Sequence, residues 1–83
     1  MEIINDVNEM LTNILKLDLS LINNLSPDQS LTDYGLNSLT GIQLIVQIEN
    51  KYNVHIDDME LLLENMSTKN KIEILIKKYI TGS

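Results

Sequence analysis

The hydrophobic positions of the chain fall into stretches of helical period separated by stretches that lack it. From Glu2 to Lys16, the residues Ile3, Ile4, Val7, Met10, Leu11, Ile14 and Leu15 recur at spacings of three and four. That spacing predicts an amphipathic helix with one buried stripe. Glu2, Asp6 and Glu9 lie in its first half and Lys16 at its end, the arrangement that a helix dipole favours. A second helix is predicted from Ser38 to about Lys51. Leu39, Ile42, Ile45, Val46 and Glu49 fall on neighbouring turns there, and Leu44 and Ile48 widen the apolar surface beyond one stripe. The excess implies burial on one side and a contact surface on the other. Gly41 costs ~1 kcal/mol against Ala inside a helix, and its small size suits close approach of a neighbouring backbone. A last helix is predicted from a Ser67 N-cap to about Ile80, with Ile72, Leu75, Ile76 and Tyr79 on one face and Lys77 and Lys78 in its final turn.

Between these helices the period fails. Asp18 to Asn37 holds Pro27 and Gly35 and reads as a long connection, pinned over the core by Leu19, Leu21, Ile22, Leu25 and Leu31. Tyr52 to Ile56 alternates apolar and polar residues, but with no second strand to pair with it an extended loop is expected. Asp57 and Asp58 are expected to open a short helical turn through Leu63. The expected fold is all-α: a small bundle of three main helices plus one short helix, with a long first loop, in one domain over residues 1–83. Its expected core is Val7, Leu11, Ile14, Leu36, Ile42, Val46, Ile72, Leu75 and Ile76, so truncating Ile42 or Leu75 to Ala should cost about 2–5 kcal/mol. Met10, Met59 and Met66 read as core gap-fillers, and Tyr34, Tyr52 and Tyr79 as core and rim packing.

Composition narrows the function classes. The formal net charge is −6, from 6 Lys and 12 Asp or Glu. Such a surface repels phosphate backbones and anionic lipid, which argues against nucleic acid and membrane as partners and for a basic protein. The absence of Cys excludes disulfides, Cys-based zinc sites and thiol catalysis by the chain itself. A small domain without such staples must rely on its core, which the 43% hydrophobic content can supply. No run approaches the roughly 18 apolar residues of a membrane span. The opening M-E-I-I-N-D carries acids where a secretory signal carries bases, so a soluble, cytoplasmic chain is expected.

The segment that carries chemistry is Asp33-Tyr34-Gly35-Leu36-Asn37-Ser38-Leu39. Gly35 can turn the chain sharply. Asn37 or Ser38 then caps the helix, placing the Ser38 hydroxyl where free N–H groups and the positive dipole end converge, a position that stabilises a phosphate ester. The plainer reading is that Ser38 is an ordinary cap.

D-Y-G-L-N-S-L with an aliphatic helix directly after it resembles the attachment motif of acyl and peptidyl carrier proteins. That family's pattern is an acidic residue, a spacer, Gly, an apolar residue, Asp or another polar residue, Ser, then Leu or Met. Asp33, Gly35, Leu36, Ser38 and Leu39 match it, and Asn37 stands at its polar position. The resemblance continues through I-Q-L-I-V-Q-I-E-N-K-Y, Val54-His55-Ile56, Asp57-Asp58 and Ser67-Thr68. It implies that Ser38 carries 4′-phosphopantetheine, transferred from coenzyme A by a separate magnesium-dependent phosphopantetheinyl transferase. It also implies an acyl or aminoacyl thioester on the arm's terminal thiol and no catalysis by the domain itself. Further partners would be a loading ligase and downstream synthase or condensing enzymes, met by a monomer through the helix after Ser38 and the loop before it. No metal site is implied.

Two departures from the fatty-acid branch bear on the pathway. That branch places Asp before the attachment serine, where this chain has Asn37, and it carries an acid-rich second helix. Here Ser38 to Lys51 holds Glu49 alone, balanced by Lys51, while the acids sit at Glu2, Asp6, Glu9, Asp57, Asp58, Glu60 and Glu64. A neutral, aliphatic helix looks more like a discrete carrier of nonribosomal peptide or polyketide-type assembly, recognised by apolar contact with rim charges. Leu39 is the candidate exposed anchor. Fatty-acid carriers and the D-alanyl carriers of cell-wall modification share the layout. Outside the family, a small helical interaction module with Ser38 as a mere cap is the rival. A Ser38–His55 hydrolase is another, although no third group or oxyanion motif accompanies that pair and His55 reads as a surface loop residue. Asp57 and Asp58 lack the spacing of a calcium loop.

Overall fold

A computed structural model describes residues 3–57 and 61–80. α1 spans Ile3–Leu15, α2 Leu19–Asn24, α3 Ser38–Tyr52 and α4 Lys69–Ile80, with short 3-10 turns at Leu31–Tyr34 and Leu63–Met66. Among the described residues there is no strand, and no helix is long and apolar enough to cross a membrane. The all-α bundle expected from the period is the fold observed.

α1 packs on α2, α3 and α4, while the Leu63–Met66 turn bridges α3 and α4. The stripe read from α1 is the stripe that is buried: Val7, Met10, Leu11 and Ile14. It meets Ile72, Leu75 and Ile76 of α4 and Leu44, Ile45 and Ile48 of α3, and Ile22, Leu31, Leu36, Ile56 and Met66 complete the core. α1 stops where Lys16 takes a left-handed conformation at φ 58° and donates its N–H to the Thr12 carbonyl at 3.0 Å. Asn53 ends α3 in the same way at φ 54°, an Asn being among the few residues that tolerate it.

The face of α3 differs from the one expected. Gly41, Leu44, Ile45 and Ile48 face the core, whereas Ile42 is 61% exposed and Val46 48% exposed. Two aliphatic stripes run along this helix on opposite sides, and periodicity alone does not rank them. α1 and the 63–66 turn select the one that includes Gly41, which faces the side chains of Leu63 and Met66 rather than a backbone; a Cβ there would meet them at 3.5 Å, an ordinary contact.

The first connection is more ordered than its composition suggests. α2 and the Leu31–Tyr34 turn occupy it, burying Ile22 and Leu31 but leaving Leu19 and Leu21 exposed. Backbone and side-chain hydrogen bonds hold it to the start of α4. The Ser67 carbonyl accepts from Leu31 N–H at 2.7 Å, and the Pro27 carbonyl accepts from Asn70 N–H at 3.0 Å. Lys69, itself buried, donates through Nζ to the Ile22 carbonyl at 2.8 Å. Desolvation lowers the Lys69 pKa below its ordinary value.

One boundary shifts. Thr68, not Ser67, caps α4: its Oγ1 accepts from Lys71 N–H at 3.1 Å, while the Ser67 hydroxyl donates back to the Glu64 carbonyl. The short helical turn expected from Asp57 to Leu63 falls in large part outside the described residues; Asp57, Leu61 and Leu62 are non-helical, and a 3-10 turn stands at Leu63–Met66. Glu2, Asp58, Met59 and Glu60 lie outside the described residues.

Tyr52 ties α3 to α1 by donating its hydroxyl to Asp6 Oδ2 at 2.6 Å, beside Lys51 Nζ at 3.6 Å from Asp6 Oδ1. Burial, that hydrogen bond and the carboxylate charge push the Tyr52 phenol well above its ordinary value.

Two sets of measurements check this packing. Leu44→Ala and Ile48→Ala should each cost about 2–5 kcal/mol. Ile42→Ala should stay within about 0.5 kcal/mol of wild type in urea denaturation, the reverse of the sequence expectation. For Tyr52, an unfolded chain releases the phenolic proton from about pH 10 upward while the folded chain retains it. The stability from this contact is therefore complete below about pH 10 and declines as pH rises further. Tyr52→Phe should lose ~1 kcal/mol at pH 7. Its deficit against wild type should shrink above about pH 10.

Candidate functional site

The motif residues converge on the start of α3. Gly35 ends the Leu31–Tyr34 turn in a left-handed conformation, φ 108° and ψ 0°. A Cβ at this position would meet only Leu15 at 3.8 Å, so what favours glycine is backbone conformation and not space. Leu36 follows, 2% exposed, and donates its N–H to the Leu31 carbonyl at 3.1 Å, fixing the turn to the core. Asp33 stays on the surface, where Oδ2 accepts from Gln29 Nε2 at 3.2 Å.

Asn37 is the cap. Its Oδ1 accepts from Leu39 N–H at 2.9 Å and Thr40 N–H at 3.0 Å, and Thr40 Oγ1 accepts in return from Asn37 N–H at 2.7 Å. This reciprocal pair is a capping box built from Asn and Thr. Four N–H groups at a helix start lack acceptors within the helix, and here three of them are taken. The sequence reading expected several free donors around Ser38. Among the described residues, only the Ser38 N–H remains of the four.

Ser38 is thus the first helical residue and not the cap. It is exposed, and among the described residues no partner meets its hydroxyl. Leu39, beside it, is 66% exposed.

An apolar groove of about 300 Å³ begins at Ser38. Gly41, Ile42, Ile45 and Val46 of α3 form one wall, and Ile56, Leu61, Leu63 and Met66 the other. Glu49 and His55 also line it. Glu49 lies eleven residues, about 16 Å, along the helix from Ser38. Glu49 Oε2 accepts from Ile56 N–H at 2.9 Å and stands 3.4 Å from His55 Nδ1. Its side chain is 26% exposed and that of His55 89%. His55 follows the C-terminal end of α3 whereas Ser38 begins it, so the two cannot form a nucleophile–base pair. The sequence places Glu49 on neighbouring turns with Ile42 and Ile45 but assigns it no role beyond that of the helix's single acid. A separation of three turns from Ser38 was the signal that put it on the same face. The opposite wall of the groove has no local signature.

A family model for the phosphopantetheine attachment site matches residues 5–70, from the first turns of α1 to the start of α4. The chain belongs to this phosphopantetheine-attachment family. Among curated proteins none matches it. Domains of the family are where 4′-phosphopantetheine is covalently attached, so the carrier-protein resemblance carried by D-Y-G-L-N-S-L holds at the level of the family. Carrier domains of the family generally act without catalysis of their own and work with a phosphopantetheinyl transferase and biosynthetic enzymes. The residues present suit the group: an exposed hydroxyl with no hydrogen bond to give up, one unused N–H at a helix start, and a groove leading away.

The division of labour between the two neighbours is measurable. Asn37→Ala should lose about 0.5–2 kcal/mol with the cap. Ser38→Ala should remain within about 0.5 kcal/mol of wild type in the same denaturation series. A larger loss for Ser38→Ala than for Asn37→Ala would mean that the cap is misplaced.

Proposed function

We propose that Ser38 carries 4′-phosphopantetheine and that the chain, as a single carrier domain, presents an acyl or aminoacyl thioester to the enzymes of a nonribosomal peptide or polyketide-type assembly. The observation that carries this reading is the free Ser38 hydroxyl at the first position of α3, with Asn37 doing the capping. In the transfer, Ser38 Oγ loses its proton and forms the new bond to phosphorus, while 3′,5′-adenosine diphosphate leaves from coenzyme A. Once attached, the arm supplies a terminal thiol on which the cargo rides. The chain's own part is to hold the serine in place, with Gly35 and Leu36 setting the turn and Asn37 the helix start.

The outer face of α3 supports the choice of pathway class. Leu39 at 66%, Ile42 at 61% and Val46 at 48% exposure form an apolar row beside Ser38. The other exposed residues of this helix are Gln43, Asn50 and Lys51, none of them acidic. A partner enzyme therefore meets aliphatic side chains, not the carboxylates that a basic patch would read. That favours peptide or polyketide-type partners over those of fatty-acid synthesis.

Incubation with coenzyme A and a broad-specificity phosphopantetheinyl transferase should add one phosphopantetheine to the wild type and none to Ser38→Ala, read by intact mass. Modification of that variant at Ser26, Ser30 or Ser67 would overturn the assignment. Leu39→Asp should keep its helical circular dichroism yet fail to be charged by an adenylating enzyme that charges the wild type. Wild-type charging should weaken only modestly at about 0.5 M salt, because apolar contacts are not screened.

A further inference from the structure

Between Ser38 and its far end the groove is apolar, and at that far end stand the Glu49 carboxylate and the His55 imidazole. Ser38, Ile42, Ile45 and Glu49 are spaced four, three and four residues apart, so they lie in one row along α3. Eleven residues make three turns and roughly 20° more, and advance about 16 Å. A pantetheine arm has roughly thirteen skeletal bonds between phosphorus and sulfur, equivalent to a little over four extended residues, or about 16 Å. Laid along this row, the arm ends beside Glu49.

Glu49 is fixed there. The Ile56 N–H holds Oε2 at 2.9 Å, and His55 Nδ1 stands 3.4 Å from the same oxygen. The neighbouring ionisable groups of α3 do not neutralise it, because Lys51 and Tyr52 both turn to Asp6 of α1. The end of the groove thus presents a partly buried anion to whatever the sulfur carries.

We infer that Glu49 selects the cargo by charge, pairing with the free α-ammonium of an aminoacyl thioester held at the end of the groove. A plain acyl group gains nothing from this carboxylate, and an acid-bearing cargo is repelled. The inference rests on attachment at Ser38 and adds that the chain is an aminoacyl carrier.

Alanyl and isobutyryl groups test it, since they differ only by an ammonium in place of a methyl. Each is placed on the apo chain from its coenzyme A thioester with a broad-specificity phosphopantetheinyl transferase, and peptide mass locates the modification. Amide NMR then follows Ile56 and His55, with the free-thiol form as reference. An exposed charge pair raises the docked population by roughly two- to fivefold, so the alanyl shift at Ile56 should exceed the isobutyryl shift by about that factor. Glu49→Gln keeps an acceptor for Ile56 N–H and should make the two shifts equal, with circular dichroism unchanged. Equal shifts in the wild type, a larger isobutyryl shift, or a difference that survives Glu49→Gln would overturn the inference while leaving Ser38 as the attachment point. A chain that takes no pantetheine at Ser38 would overturn both.

Discussion

Asn37 Oδ1 holds the start of α3 by accepting from Leu39 and Thr40, and its place one residue before Ser38 leaves that serine out of the cap. The cap satisfies the helix backbone, which leaves the serine hydroxyl without a structural task. The reciprocal bond from Asn37 N–H to Thr40 and the left-handed turn at Gly35 fix the cap, and buried Leu36 fixes the turn. Asn would have a second consequence beside a phosphate attached at Ser38. Asp would cap as well, but it would set a negative charge next to the phosphodiester. A neutral cap leaves the positive end of the helix dipole for the ligand.

α3 serves two surfaces because it is aliphatic on two sides. Burial of Leu44, Ile45 and Ile48 against the bundle turns Leu39, Ile42 and Val46 outward. The same orientation puts Ser38, Ile42, Ile45 and Glu49 along the groove that the Leu63–Met66 turn closes on its far side. Gly41 faces the same turn, and a Cβ there would meet Leu63 and Met66 at 3.5 Å, an ordinary van der Waals distance, so their seating does not require a glycine.

The parts of this arrangement written in local sequence were legible. α1 has one apolar stripe and no competitor, so its buried residues could be read directly. Gly35, Leu36, Asn37 and Ser38 could also be read, because turn chemistry and capping are local. α3 could be recognised as a helix but not oriented, since two stripes competed and only α1 and the 63–66 turn decide between them. The pattern pointed to Ser67 as the α4 cap, but its hydroxyl bonds back to Glu64 and Thr68 caps instead. The order in the first connection was hidden for another reason. It depends on Lys69, Asn70 and Ser67, some forty residues further along. The groove shares that dependence in part: the place of Glu49 in the row of Ser38 was legible, but its opposite wall of Ile56, Leu61, Leu63 and Met66 was not.

If Ser38 carries no structural duty, then esterifying it must not disturb the helix it begins. The direct measurement is urea denaturation of the unmodified chain and of the chain carrying phosphopantetheine on a peptide-mapped Ser38. The account predicts that modification lowers the unfolding free energy by no more than about 0.5 kcal/mol. A loss of ~1 kcal/mol or more, the size expected when a capping side chain is withdrawn, would contradict it.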